Sequence, residues 1–382
     1  MPDPAPQGEL DLLLVGPYPP PLGGVSSHVR QVAEATAAAG YRIGVLDHFG
    51  GEPTAPPVLA GLRRNPARYL LQLRRRRAEV VHVHYAGRTS ILFAAALARR
   101  RWPGDRWLLT VHNHSLTPIL RSRVRGRLAR AALRQFDEII AVSGDVRTGI
   151  ARHLPEQRVV TVPAYIGVGA LEGEPLEPAM SAFLSGPGVT LVAAAYRVRT
   201  LRVGGDVYGL DIAARAFSEL AAELPTLKLA LFLAHPPRGW RAKRYLSRIC
   251  ARLDRDWPGR TRVAVGQPLV PSLGRRTVFL RPTRTDGDAV SVREALSRRV
   301  PVIASDAASR PRGVRVVPLT DAGAWVVEVR RAVMAVAFND GLLGSPPAGP
   351  GGADGSLSAM LALYGRHLGR PCREPQLAWS GP

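Results

Sequence analysis

Short apolar runs alternate with segments of helix length along most of the chain. In the first half the runs are LDLLLVG (10 to 16), YRIGVLD (41 to 47), EVVHVHY (79 to 85), RWLLTVH (106 to 112), EIIAVS (138 to 143) and RVVTVP (158 to 163). They are rich in Val, Ile and Leu and nearly continuous, which is the pattern of strands buried on both faces of a parallel sheet wrapped by helices. Residues 166–187 interrupt the rhythm with Gly, Pro and three acids. The alternation then resumes with VTLVAAA (189 to 195), LKLALFLA (227 to 234), TRVAVG (261 to 266), TVFL (277 to 280), VPVIAS (300 to 305) and VRVVPL (314 to 319). The expected fold class is therefore α/β, with two doubly wound, Rossmann-like halves. Its expected divisions are residues 1–165, a linker at 166–187, a second domain at 188–340, and a tail at 341–382. A Pro/Gly-rich stretch, DGLLGSPPAGPGGADGS, leads into that tail, where LSAMLALYGRHL reads as one terminal helix.

In open parallel sheets, ligands bind beyond the carboxyl ends of the strands, so the loops leaving these runs are where chemistry is sought. The most informative is FLRPTRTDGDAVSVREAL, which places Asp286 and Glu294 with seven residues between them, at the end of a strand and in the helix that follows. A helix amino terminus there offers free N–H groups to an anion. Two other readings compete locally. Ser291-Val-Arg-Glu294 has capping-box spacing, and Asp286-Gly287-Asp288 spells the Asp-x-Asp of metal-nucleotide sites, although that signature accompanies single-sheet enzymes. GPYPPPLGGVSSHV after the first strand brings Gly23 and Gly24 to a turn feeding a helix, with Ser26 or Ser27 as candidate caps. LLTVHNHSL ends another strand at His112, with His114 as second choice. His82 and His84, two apart on one strand face, resemble a metal pair, but no cysteine or carboxylate cluster completes it, and they read as structural. AAAYRVRTLRVGGDVYGLDIAARAF supplies three cations, Arg197, Arg199 and Arg202, just after the first strand of the second half.

Taken together and in this order, these segments resemble retaining glycosyltransferases of family 4, which have the GT-B fold, over Leu12 to about Leu319. The family usually has Glu at both acidic positions, so Asp286 is a conservative departure. The resemblance implies two Rossmann-like domains facing a cleft and a nucleotide-sugar donor, most often UDP-linked. It implies no metal and no cofactor. Catalytic roles fall on His112, Asp286 and Arg197. Donor contacts fall on Gly23, Gly24, Arg197, Arg202, Asp286, Gly287, Asp288, Ala289, Val290 and Glu294, with Glu294 on the ribose. The family's Lys is missing: Tyr208 stands in its place, after an apparent insertion in the preceding loop. A nucleotide-sugar 2-epimerase on the same fold, and a degenerate non-catalytic scaffold, stay open as alternatives.

Charge adds a partner. The chain has 382 residues with 52 Lys plus Arg against 30 Asp plus Glu, a formal charge of +22. The excess gathers at residues 62–77, 99–106 and 121–134, in the first half. Solvated helix faces explain this as readily as a face for anionic lipid headgroups, which gain about 1 kcal/mol per basic residue near the surface. Few aromatics interleave the runs, so nucleic acid is not the expected partner. The expected acceptor is a glycan or a polyprenyl-diphosphate-linked sugar. No run reaches the roughly 18 apolar residues of a membrane span, and the amino terminus lacks a basic signal region. The expected place is the cytoplasm, peripheral on the inner face of the plasma membrane. Two cysteines are too few for a disulfide framework.

Overall fold

A computed structural model describes residues 10–20, 23–50, 57–63, 65–76, 78–85, 87, 89–101, 105–164, 175–202, 204–286, 288–338 and 353–370. The chain divides into two units. One comprises Met1–Pro20, Val25–Gly167 and Ala353–Pro382; the other comprises Pro21–Gly24 and Val168–Gly352.

The first unit runs β1 (Leu10–Gly16), α1 (Gly24–Ala38), β2 (Ile43–Asp47), β3 (Val58–Gly61), α2 (Pro66–Arg75), β4 (Ala78–Tyr85), α3 (Thr89–Arg101), β5 (Arg106–Val111), α4 (Thr117–Arg121), α5 (Arg123–Leu133), β6 (Glu138–Ala141), α6 (Gly144–Ala151) and β7 (Val159–Thr161). All strands pair in parallel, in the order β3-β2-β1-β4-β5-β6-β7. Leu12, Leu14, Val80, Leu108 and Ile140 lie in one core cluster with Val29 and Val32 of α1. Each such side chain contributes about 1.5–3 kcal/mol by leaving water. The strand β3 was not expected, because VLAG is short and follows prolines. α1 opens at Gly24, so Ser26 and Ser27 lie buried inside the helix rather than capping it. Gly40 follows its end with φ of +86°, the left-handed conformation that glycine supplies after a helix.

The second unit begins with α7 (Pro178–Ser185) and continues through β8 (Thr190–Ala195), α8 (Leu210–Ala221), β9 (Lys228–Leu233), α9 (Gly239–Asp256), β10 (Thr261–Val265), β11 (Thr277–Arg281), α10 (Val290–Ser297), β12 (Val302–Ser305), β13 (Val314–Val317) and α11 (Ala322–Phe338). Its sheet is also all parallel, in the order β10-β9-β8-β11-β12-β13. Met180 of α7 is buried in the core beneath this sheet, against Val192, Phe232 and Phe279 among others. Residues 175–187 are thus part of the second unit and not free linker, because Met180 finds apolar partners there; residues 166–174 lie outside the described residues.

The last helix, α12 (Ala353–Leu368), packs on the first unit. Leu357, Met360, Leu361, Leu363 and Tyr364 enter that unit's core. Polar ties fix it: Tyr364 Oη lies 2.6 Å from His82 Nδ1, His367 Nε2 lies 2.9 Å from buried Glu138, and Arg370 reaches Asp11 at 2.6 Å. The Pro/Gly-rich residues 341–352 lie outside the described residues.

Candidate active site

In each sheet the strand order reverses at one place, between β1 and β4 in the first and between β8 and β11 in the second. Chain crossovers leave on opposite sides there, which opens a crevice at the carboxyl ends. The loops beyond β8 and β11 carry Arg197 and Asp286; His84 ends β4 and His112 follows β5.

Asp286 in the second unit is buried and ionised by its neighbours. Arg281, the last residue of β11, donates Nε and Nη2 to its two oxygens at 3.1 and 3.3 Å, and Arg310 donates Nη1 at 2.9 Å. Burial pushes the Asp286 carboxyl up, but the two guanidiniums outweigh it and hold the group below the ordinary carboxylate range. Arg281 also donates Nη1 to the Ala194 carbonyl, stitching β11 to the end of β8, and its guanidinium lies 5.4 Å from the Tyr208 ring centroid. Arg310 additionally binds Ser305 through its carbonyl and hydroxyl. Sequence reasoning missed both arginines. Arg281 gave a local signal, a charge closing an apolar strand; Arg310 gave none, since 24 residues separate it from Asp286.

Asp288 is held by both oxygens to Arg293 Nε at 2.9 and 2.8 Å. Both acids of the Asp-x-Asp sequence are therefore paired with guanidinium groups. Gly287 lies outside the described residues. Ala289 is the residue before α10, with no side chain capping the helix, and Val290 opens it. Ser291 consequently sits inside the helix and the capping-box reading of Glu294 does not hold. Glu294 is buried, 5% exposed, one turn further along.

Ahead of Tyr208 the chain turns back on itself, with Thr200 pairing antiparallel to Asp206 and the Val207 amide donating to the Arg199 carbonyl. Buried Asp206 anchors it, accepting from the Tyr208 and Leu210 amides at 2.7 and 2.8 Å and from Tyr245 Oη at 2.8 Å. Arg284 clamps Asp211 with two bonds of 3.0 and 2.8 Å. Gly209, with φ of +71°, starts α8 so close to Pro282 that an added Cβ would lie 2.0 Å from its carbonyl oxygen. Arg197 is half-buried, and its Nε has no hydrogen-bond partner among the described residues. Arg199 and Arg202 are exposed.

In the first unit, the structure gathers histidines that the sequence leaves scattered. His28 of α1, His84 and His112 are all buried, and His84 Nδ1 stands 3.1 Å from His112 Nε2. His82 is enclosed behind them, with Tyr364 Oη and Thr110 Oγ1 on its two nitrogens. Burial lowers all four: His28 to about 4, His82 to about 3 with repulsion from His28 and His367 adding, and His84 and His112 well below their ordinary value. These are neutral imidazoles at neutral pH. His114 sits apart, in the short turn after Asn113. Gly23 is described and half-buried, and Gly24 begins α1.

Two parallel-sheet units of this topology are the GT-B fold. The solved structures bear this out: a trehalose-phosphate synthase from Burkholderia xenovorans, in complex with glucose-6-phosphate, aligns with a TM-score of 0.64 at 15% identity, over 93% of this chain and 96% of its own. Sucrose-phosphate synthase from Thermosynechococcus elongatus aligns with a TM-score of 0.60 at 16% identity, over 94% and 97%. HepE of Anabaena in complex with UDP aligns with a TM-score of 0.59 at 12% identity, over 94% and 96%. At such identities the likeness is one of fold. Residues 22–166 match the family model described as Glycosyltransferase Family 4, in line with the resemblance carried by the motifs. No curated protein sequence matches it.

Proposed function

We propose that the protein transfers a sugar, with retention of anomeric configuration, from a nucleoside diphosphate donor to a glycan or polyprenyl-diphosphate-linked acceptor. The observation that carries this reading is the second unit's acidic pair: Asp286 and Glu294 stand before and within α10, Glu294 buried and the Asp286 side chain 9% exposed, at the carboxyl edge of a parallel sheet. Glycosyltransferases of this fold with UDP, UDP-glucose or sugar phosphate bound support a nucleotide-sugar donor. Glu294 accepts hydrogen bonds from the ribose hydroxyls, and the α10 amino terminus with Asp288, Ala289 and Val290 lies along the donor. Asp286 is held ionised, so it orients the sugar as an acceptor of hydrogen bonds and does not donate a proton. Arg281 and Arg310 fix Asp286 in place, which leaves Arg197, with its unpartnered Nε, to meet the diphosphate, helped by Arg199 or Arg202. In the transfer, the bond between the anomeric carbon and the phosphate oxygen breaks with its electron pair going to the phosphate. The acceptor oxygen bonds the same carbon from the same face, and its proton passes to the departing phosphate. Cations placed where this charge develops are worth about 10²–10³ in rate each. No metal is required for that step. Gly23 and Gly24 approach the donor diphosphate, and His112 the transferred sugar.

The first unit supplies the lipid-facing side of this proposal. α2 packs on α3 and α3 on α5, and along these helices Leu71, Phe93, Leu97, Val124 and Leu128 are exposed among arginines such as Arg74, Arg100 and Arg125. Apolar side chains interspersed with cations suit an anionic membrane surface, where the former enter the headgroup boundary and the latter pair with phosphates. No helix among the described residues is long and apolar enough to cross a membrane. We place the reaction in assembly of a cell-surface polysaccharide, on the cytoplasmic face.

The test is thermal stability with UDP, GDP, ADP and their sugars, with and without EDTA. A ligand at 100 times its Kd adds about 2.7 kcal/mol to the folded state. One base is expected to raise the midpoint regardless of EDTA. Turnover of that donor is expected to fall at least about 100-fold in Glu294→Ala with the fold intact; full activity in this variant would sink the site assignment. Free epimerised sugar in the absence of acceptor would point instead to an epimerase.

A further inference from the structure

The histidine cluster of the first unit has a geometry that hydrogen bonding among imidazoles leaves unfinished. Its three members come from three elements, His28 from α1, His84 from the end of β4 and His112 from just beyond β5, and one ring nitrogen of each lies within 4.8 Å of the others. The ring centroids are 5.4, 5.0 and 5.4 Å apart. Three imidazoles bound to one tetrahedral metal at about 2.0–2.1 Å place their centroids roughly 5 Å apart. The 3.1 Å between His84 Nδ1 and His112 Nε2 is near the roughly 3.3 Å separating two nitrogens on such an ion. His28 Nδ1 is in contact with the Ala164 carbonyl. A carbonyl only accepts, so Nδ1 carries the proton and Nε2 a lone pair. That Nε2 is buried and has no hydrogen-bond partner among the described residues. Backbone carbonyls hold metal-binding histidines in this way. Gly16 makes the room: a Cβ there would lie 3.1 Å from the Cβ of His84.

We propose that His28, through Nε2, His84, through Nδ1, and His112, through Nε2, bind a divalent transition metal of the zinc class, with a fourth position left to water or another small ligand. The set has no carboxylate, which selects a borderline metal such as zinc or cobalt over magnesium or calcium. His82 stands behind it: its ring is 4.2 Å from that of His84, and its own nitrogens are taken by Tyr364 and Thr110, so α12 supports the site without ligating. The site goes beyond the transfer reading and shares His112 with it, but does not rest on it, since its three ligands are gathered by the first unit alone.

The test is metal content of the full chain, purified without a metal-affinity step, by mass spectrometry, with zinc titrated into the chelator-treated protein and followed by thermal midpoint. Expected are about one zinc per chain, a rise in midpoint with zinc but not with magnesium, and a tetrahedral absorption spectrum with cobalt. His28→Gln and His84→Gln are each expected to weaken zinc binding at least about tenfold, while His153→Gln, a residue outside the cluster, leaves it unchanged. If His28→Gln does not fold, the wild-type titration decides alone. A chain that purifies without metal and shows no zinc-dependent shift overturns the proposal, as does His28→Gln binding zinc as tightly as the parent.

Discussion

Both units carry ionisable groups at the carboxyl edge of a parallel sheet, and desolvation acts on both, yet the outcomes are opposite. In the second unit, buried Asp286 keeps its charge because Arg281 and Arg310 lie on it. In the first, His28, His82, His84 and His112 have no acid among them and shed their protons. Burial penalises any charge by several kcal/mol, so what a buried group becomes depends on whether an opposite charge arrives from elsewhere in the fold. One edge thus keeps fixed charges, and the other a set of neutral imidazoles.

Removing one cation from the charged edge tests this contrast most strongly. Arg310→Met is expected to destabilise the fold by about 3 kcal/mol, because it leaves a buried carboxylate half-compensated, and adding Asp286→Asn should recover part of the loss in urea unfolding. If Arg310→Met unfolds like wild type, the carboxylate is solvated and the contrast fails. Gly209→Ala should cost about 1–3 kcal/mol from its left-handed backbone alone, with the Pro282 contact adding to it, and the loss should appear as a lower midpoint. At the neutral edge, acid is the probe. The folded pKa of His28 lies below the unfolded value of 6.5, so between pH 6.5 and about 4 the unfolded chain binds the extra proton. Stability is whole above pH 6.5 and falls with acidification by about 1.4 kcal/mol per pH unit for each such histidine. His28→Asn should flatten that slope; an unchanged slope would show that His28 titrates normally. The smallest effect lies on the outer face, where Arg74→Glu with Arg75→Glu should weaken partition onto anionic vesicles by about 1 kcal/mol per charge removed, and no change on neutral ones is expected.

Much of the fold could be read along the chain. Each of the twelve expected strands forms, most of them to within two residues of the expected ends, because a strand buried on both faces must be apolar throughout. Asp286 and Glu294 were also legible, as a spacing between a strand and its helix. The histidines were not: His82 and His84 read as structural, since the rings that meet His84 come from α1 and from beyond β5.

Sequence alone determined the two alternating halves, the acidic pair, the arginine-rich first half and the family they resemble, because each is a local pattern of burial or spacing. Only the tertiary structure decided that Arg310 reaches across 24 residues to Asp286, that Ala289 and not Ser291 precedes α10, and that Tyr364 closes over His82 from 282 residues away. Such partners are chosen by strand order and helix docking, and these follow from the packing of the whole sheet, which no local stretch of residues encodes.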